Sequence, residues 1–273
     1  MINYPHLLML GAFAGLTIFL GLPLAVAQRV SSRKKGFLNA FAIGILIFLI
    51  VDVFGHAWEP AADAVSSALV GESSVADAML DLFAMFGGLA LGLLGLTWYE
   101  TRYMKSSVES QQKQELQFAE RANAYKMSTM IAVGIGVHNF SEGLAIGQSY
   151  VSGAISLAIV LVIGFAAHNA TEGFGIAAPL TGLLKRPSMR FIVLAGLVGG
   201  APTFIGTLLG SLWTSLPVYI FFLAVAGGAL IYVSLLMYNS GRRQTTNDVL
   251  MIGIFVGLSL GFLTDLIIIL GGA

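Results

Sequence analysis

His138-Asn139-Phe140-Ser141-Glu142-Gly143 and, thirty positions on, His168-Asn169-Ala170-Thr171-Glu172-Gly173 share one pattern, H-N-x-[S/T]-E-G. Each copy lies inside a long apolar stretch, where an ionisable side chain is costly. On a helix, positions i and i+4 share a face, so His138 goes with Glu142 and His168 with Glu172. The two copies therefore offer two imidazoles and two carboxylates from neighbouring hydrophobic segments, a set of metal-ligand type. Buried charge must be paired or coordinated, and here the same costly group occurs twice.

The surrounding chain is of the same character. Its 273 residues are 57% apolar and 10% charged, and the mean hydropathy is +0.86. Those values exclude an ordinary soluble globular domain and indicate an all-α integral membrane protein. Cysteine is absent, which excludes disulfides, thiolate zinc sites and thiol catalysis. The first apolar run precedes the first basic residues, the reverse of a secretory signal, so a retained first span is expected.

About 20 apolar residues cross a bilayer, and on that measure eight transmembrane helices are expected, at about 6–28, 36–58, 75–99, 127–150, 153–180, 190–213, 217–239 and 249–271. They form a single transmembrane domain over 1–273, with 100–124 as a polar cytoplasmic loop. The bases fall in four groups: Arg29, Arg33, Lys34 and Lys35; Arg102, Lys105, Lys113, Arg121 and Lys126; Lys185, Arg186 and Arg190; Arg242 and Arg243. Every group lies in an odd-numbered connection. By the positive-inside rule those connections are cytoplasmic and both termini face outward. The 59–74 connection, with Glu59, Asp63 and Glu72 and no base, reads as an external loop. Recurrent small-xxx-small spacings, such as Gly88 with Gly92 and Gly253 with Gly257, are a helix-packing signal.

Further ionisable residues fall within the expected spans. Asp52 and His56 are i,i+4 on span two, with Glu59 about a turn beyond; they read either as a possible entrance that gathers cations or as a locally satisfied pair. Asp81 and Asp265 are single acids, equally readable as hydrogen-bonded packing elements. Spans four and five run in opposite directions, and each carries its motif near mid-depth. A two-fold axis in the membrane plane would bring both sets of ligands to one point, as in inverted-repeat transporters. Imidazole with carboxylate suits zinc, iron(II), manganese, cobalt or nickel, and the lack of thiolate argues against copper(I). Asn139 and Asn169 add neutral oxygen donors. A transport site must bind well enough to desolvate an ion and loosely enough to release it, a condition that mixed His, Glu and Asn ligation meets.

The two H-N-x-[S/T]-E-G phrases, in the fourth and fifth of eight spans, resemble the H-N-x-P-E-G motifs of the Zrt/Irt-like ZIP divalent metal transporters, prokaryotic type. The resemblance implies a 3+2+3 inverted-repeat bundle, with spans one to three related to six to eight. It places His138, Glu142, His168 and Glu172 on a first metal site and Asn139 and Asn169 on a second, with Glu172 bridging the two. It further implies import of zinc, iron(II) or manganese into the cytoplasm across the cell (plasma) membrane, an elevator-like movement and a homodimer. The divalent metal ion is then substrate, with no cofactor, and the bilayer is the other partner; nucleic acid is not among them. This sequence departs from the family pattern at the motif proline, replaced by Ser141 and Thr171. It also departs in span six, where Ala201 stands before Pro202 in place of a glutamate, so a single metal site is expected.

Two readings of other kinds compete. A membrane-embedded di-metal enzyme would use E-x-x-H with further glutamates, whereas the order here is H-x-x-x-E; no H-E-x-x-H occurs. A transport-inactive metal sensor would accommodate the missing span-six acid. The expectation is a transporter and not an enzyme.

Overall fold

The computed structural model describes residues 3–27, 31–104, 114–212 and 215–270, and omits the side chains of a few residues within helices, His168 among them. Arg29, Lys105 and Lys113, counted above in the charge pattern, lie outside the described residues, as does the side chain of Arg243. Among the described residues the regular structure is all helical: α1 (Tyr4–Leu16), α2 (Ser32–Leu69), α3 (Val75–Tyr99), α4 (Gln114–Val151), α5 (Ile155–Ala177), α6 (Met189–Leu212), α7 (Leu216–Gln244) and α8 (Asn247–Leu270).

Side-chain caps start several of these helices, satisfying amides that have no partner within the helix. Asn3 Oδ1 accepts from His6 N at 3.2 Å, Ser31 Oγ from Lys34 N at 3.4 Å and Ser74 Oγ from Ala76 N at 3.2 Å. Two sharp reversals use glycine with positive φ, Gly71 (79°) between α2 and α3 and Gly153 (88°) between α4 and α5, a region that disfavours a Cβ.

Among the described residues, seven helices are long and apolar enough to cross a membrane. The other long helix, α4, carries His138, Asn139, Ser141 and Glu142 inside its apolar run, which lowers its hydropathy. Three segments differ from the sequence expectation. The helix that carries the second span does not stop with its apolar run near 58: α2 continues through Pro60 to Leu69, because the alanine-rich run after Pro60 propagates helix without needing lipid. The first span stops as α-helix at Leu16 and goes on as 3₁₀ turns, Thr17–Leu20 and Leu22–Val26, with Pro23 at the start of the second. The expected loop at 100–124 is in part structured, since α3 ends in a π-helical turn, Glu100–Met104, and α4 already begins at Gln114.

Close backbone contacts give the direction of each helix pair. A Cβ on Gly88 or Gly92 of α3 would strike the carbonyls of Phe221 and Val225 of α7, so these helices run parallel; Gly253 and Gly257 of α8 meet the carbonyls of Phe37 and Phe41 of α2 in the same sense. The reciprocal contacts also exist: Gly44 of α2 meets the Ile254 carbonyl, and Gly228 of α7 meets that of Leu89. Small residues at such crossings let backbones approach in lipid, where dispersion and not water exclusion holds helices together. Buried Ile43, Leu46 and Leu49 of α2, Ile131 and Ile135 of α4, Ile176 of α5 and Leu230 of α7 form the main apolar core. A smaller cluster of Leu7, Ala14, Ile146, Tyr150, Ala158 and Val162 joins α1, α4 and α5.

Candidate metal site

The motif helices are held by α1 and α6. On α4, a Cβ at Gly143 would meet the Thr203 carbonyl of α6; on α5, a Cβ at Gly173 would meet the Ile18 carbonyl of the turn after α1. The reverse contacts match as well, Gly206 against the Phe140 carbonyl and Gly21 against that of Ala170. Where α1 and α6 cross, Gly15 and Gly200 each lie against the other's carbonyl, while Gly11 meets Thr207 and Gly196 meets Leu22. That register makes α1 and α6 antiparallel. Since α4 follows α6 and α5 follows α1, the two motif helices are antiparallel too.

The asparagines repeat the pattern in hydrogen bonds. Asn139 Nδ2 donates to the Gly199 carbonyl at 3.0 Å, and Asn169 Nδ2 donates to the Ala14 carbonyl at 3.0 Å. Both asparagines are fully buried. Among the described residues, neither Oδ1 has a hydrogen-bond partner. An amide oxygen buried without a partner is uncommon, because its desolvation goes uncompensated. Oriented by its own Nδ2 bond, each oxygen is a fixed neutral donor of the type that hard and borderline cations accept.

His138 joins the two motifs. Its Nε2 lies 3.3 Å from Glu142 Oε1 on its own helix and 3.9 Å from Glu172 Oε1 on α5. His138 is 2% exposed, Glu142 5% and Glu172 1%. The i,i+4 pairing expected on α4 is thus present, and the crossing adds a carboxylate from the other copy. Among the described residues, no three His, Asp or Glu side chains are arranged as a closed metal cage. His168 shares a helix face with Glu172 one turn on, and its side chain lies outside the described residues.

Ser141, in the position of the family's motif proline, turns its Oγ back to the His138 carbonyl at 2.6 Å. The hydroxyl thereby engages the backbone of the preceding turn, as serine does within helices. Ala201 is partly exposed. It lies on the α6 stripe that also carries Leu197, Val198, Phe204 and Ile205, all exposed, whereas Gly199, Gly200 and Thr203 are buried. The position expected to supply a further acid therefore lies off the buried line of Gly199, Gly200 and Thr203 that meets α1 and α4.

The other sequence candidates fall elsewhere. His56 Nδ1 lies 3.4 Å from Asp52 Oδ1 and 3.0 Å from the Asp52 carbonyl, with the imidazole largely exposed. Asp81 of α3 is buried, and its Oδ1 has no hydrogen-bond partner among the described residues. Asp265 is partly exposed on α8.

Sequence reasoning missed a polar tie at the other end of α4. Lys126 Nζ lies 2.6 Å from Glu100 Oε1, and the Tyr232 hydroxyl donates to the second oxygen of the same carboxylate. The tie joins α4 to the end of α3 and to α7. Its sequence signal was weak, since Glu100 opens the segment 100–124 that reads as a polar loop and Lys126 lies just beyond it.

Residues 100–268 match the family model described as ZIP Zinc transporter. The chain is 29% identical over 271 residues to the zinc transporter ZupT of Corynebacterium glutamicum, covering 91% of this chain and 97% of that protein. It is 30% identical over 240 residues to the zinc transporter ZupT of Chlorobium phaeovibrioides, with 85% of each chain covered.

Proposed function

We propose a transport function from one premise: this chain belongs to the ZIP zinc transporter family. It is a multi-pass membrane protein that carries zinc, and other borderline divalent ions such as iron(II) and manganese, into the cytoplasm. The relatives are named as zinc transporters, and the buried donors are imidazole, carboxylate and amide oxygen without thiolate, a set suited to those ions. The metal is cargo and the protein a transporter, not an enzyme.

In this reading the ion is held between α4 and α5 by His138, Glu142, His168 and Glu172, with the oxygens of Asn139 and Asn169 beside them. The observation that carries it is the convergence of two buried carboxylates from antiparallel helices, Glu142 and Glu172, within 3.9 Å of the buried His138 Nε2. Such groups are expensive in a membrane interior unless they serve ion passage. The metal competes with protons for these ligands.

The bundle is read as a 3+2+3 inverted repeat, α1–α3 with α6–α8 around α4 and α5, and with both termini outward. Support comes from the paired contacts: Gly143–Thr203 with Gly173–Ile18, Gly206–Phe140 with Gly21–Ala170, and Gly92–Val225 with Gly257–Phe41. The charge pattern supports the orientation. Asp52 and His56, 3.4 Å apart on one face of α2, are read as an outer cation-gathering pair. A plasma-membrane location and a homodimer complete the reading.

Sealed proteoliposomes test it. Saturable zinc uptake, reduced by competing iron(II) or manganese, is expected. Sealed vesicles containing folded protein that take up no zinc above protein-free vesicles would overturn the transport reading.

A further inference from the structure

We propose that the notch between the first turns of α2 and α8 binds an acidic phospholipid. Arg33, Lys34, Phe37 and Leu38 of α2 and Val249 and Ile252 of α8 line a cavity of about 560 Å³, within the size range of ligand sites, about 300–1,000 Å³. The two helices run parallel, so both first turns lie at one face of the bundle, and the notch closes inward where Gly253 meets Ala40 and Gly257 meets the Phe41 carbonyl.

The lining divides into two chemical parts. Val249 is buried, Phe37 and Leu38 are half-buried and Ile252 is 55% exposed, continuing an outward apolar face with Met251 and Phe255. This is a wall for hydrocarbon, open on the lipid side. Arg33 and Lys34 are exposed at its rim. Among the described residues, neither guanidinium nor ammonium is in an ion pair. Asp248 is the acid in the first turn of α8, one negative charge against the two bases of the rim.

Two unpaired cations at the mouth of an apolar groove complement an anionic headgroup with its acyl chains. Basic pockets between membrane helices on the cytoplasmic side hold such lipids, and the cytoplasmic leaflet is the anionic one. A free phosphate shares the headgroup chemistry but would leave the Phe37, Leu38, Val249 and Ile252 wall uncovered. The inference rests on the cytoplasmic placement of the α1–α2 and α7–α8 connections, and not on the metal site. Each base near an anionic membrane surface contributes about fivefold in binding, so the pair is expected to contribute about thirtyfold.

The test uses the full chain, purified, stripped of lipid and followed by native mass spectrometry. Protein is titrated with phosphatidylglycerol or phosphatidylcholine, with and without excess inorganic phosphate, as wild type, as R33Q/K34Q and as Ile252→Trp. Wild type is expected to retain phosphatidylglycerol over phosphatidylcholine. R33Q/K34Q should lose about thirtyfold of that binding, and Ile252→Trp should weaken it by occupying the groove. Monodisperse gel filtration and a thermal midpoint near that of wild type report that both variants are folded. Equal retention of the two lipids, or unchanged phosphatidylglycerol binding by R33Q/K34Q, overturns the proposal. Displacement of the lipid by inorganic phosphate, with phosphate binding unaffected in Ile252→Trp, overturns it in favour of a free-anion site.

Discussion

Asn139 and Asn169, one on each of two antiparallel helices, make the same bond: each side-chain amide donates at 3.0 Å to a carbonyl of a flanking helix, Gly199 for one and Ala14 for the other. Each is thereby anchored through its nitrogen with its oxygen buried and unengaged among the described residues. One arrangement satisfies packing and leaves two fixed oxygens, one on each motif helix. Replacing either asparagine by alanine removes a buried hydrogen bond with a net worth of about 1 kcal/mol. The thermal midpoints of the two variants should fall by similar amounts, and zinc uptake should fall in both. A loss in one variant alone would break the equivalence.

The glycines at the ends of the motifs are matched in the same way. Gly143→Ala and Gly173→Ala each drive a methyl into a backbone carbonyl, and overpacking of this kind costs about 1–3 kcal/mol. Gly55 of α2 has open space around it, and alanine there should be neutral or stabilising by up to about 1 kcal/mol, from helix propensity. Thermal unfolding in detergent separates these cases. Equal midpoints for all three variants would contradict the close contacts.

Lys126 and Glu100 are both about one-fifth exposed, so their pair is worth less than a fully buried one but more than a surface one. Lys126→Met leaves Glu100 uncompensated beside Tyr232 and should destabilise by about 1–3 kcal/mol. Adding Glu100→Gln should recover part of the loss. A double-mutant cycle on thermal stability measures the coupling, and an additive result would show that the tie contributes nothing.

Ala201→Glu tests where the span-six position points. With Ala201 off the buried line of α6, the new carboxylate is expected to stay out of reach of His138 and Glu142. Isothermal titration is expected to give about one bound zinc per chain in both wild type and variant. A second ion in the variant would mean that position 201 reaches the site.

Much of this arrangement was legible in the residues. Apolar runs marked the helices, and the repeated H-N-x-[S/T]-E-G phrase marked α4 and α5, because costly groups in lipid have few structural explanations. The confinement of bases to alternate connections set an expectation for topology. Other features depend on three-dimensional neighbours. Glu59, Pro60 and Asp63 end an apolar run, which reads as a loop, yet α2 continues through them to Leu69. Pattern alone does not show that α1 stops at Leu16, where the following turns bring Ile18 and Gly21 against α5. Nor does it show which carboxylate from the second motif reaches His138, since that depends on the crossing of α4 and α5. The Glu100–Lys126–Tyr232 tie joins residues far apart in the chain, and no local spacing signals it.

The central claim is that the buried groups of α4 and α5 are the path of the ion. The most direct measurement is initial zinc uptake into sealed proteoliposomes by wild type, His138→Ala and Glu172→Gln, each reconstituted at equal density after gel filtration shows monodisperse protein. Removing one ligand of a mixed site should weaken transport by about tenfold or more. The account predicts that loss in both variants; uptake at the wild-type rate in both would contradict it.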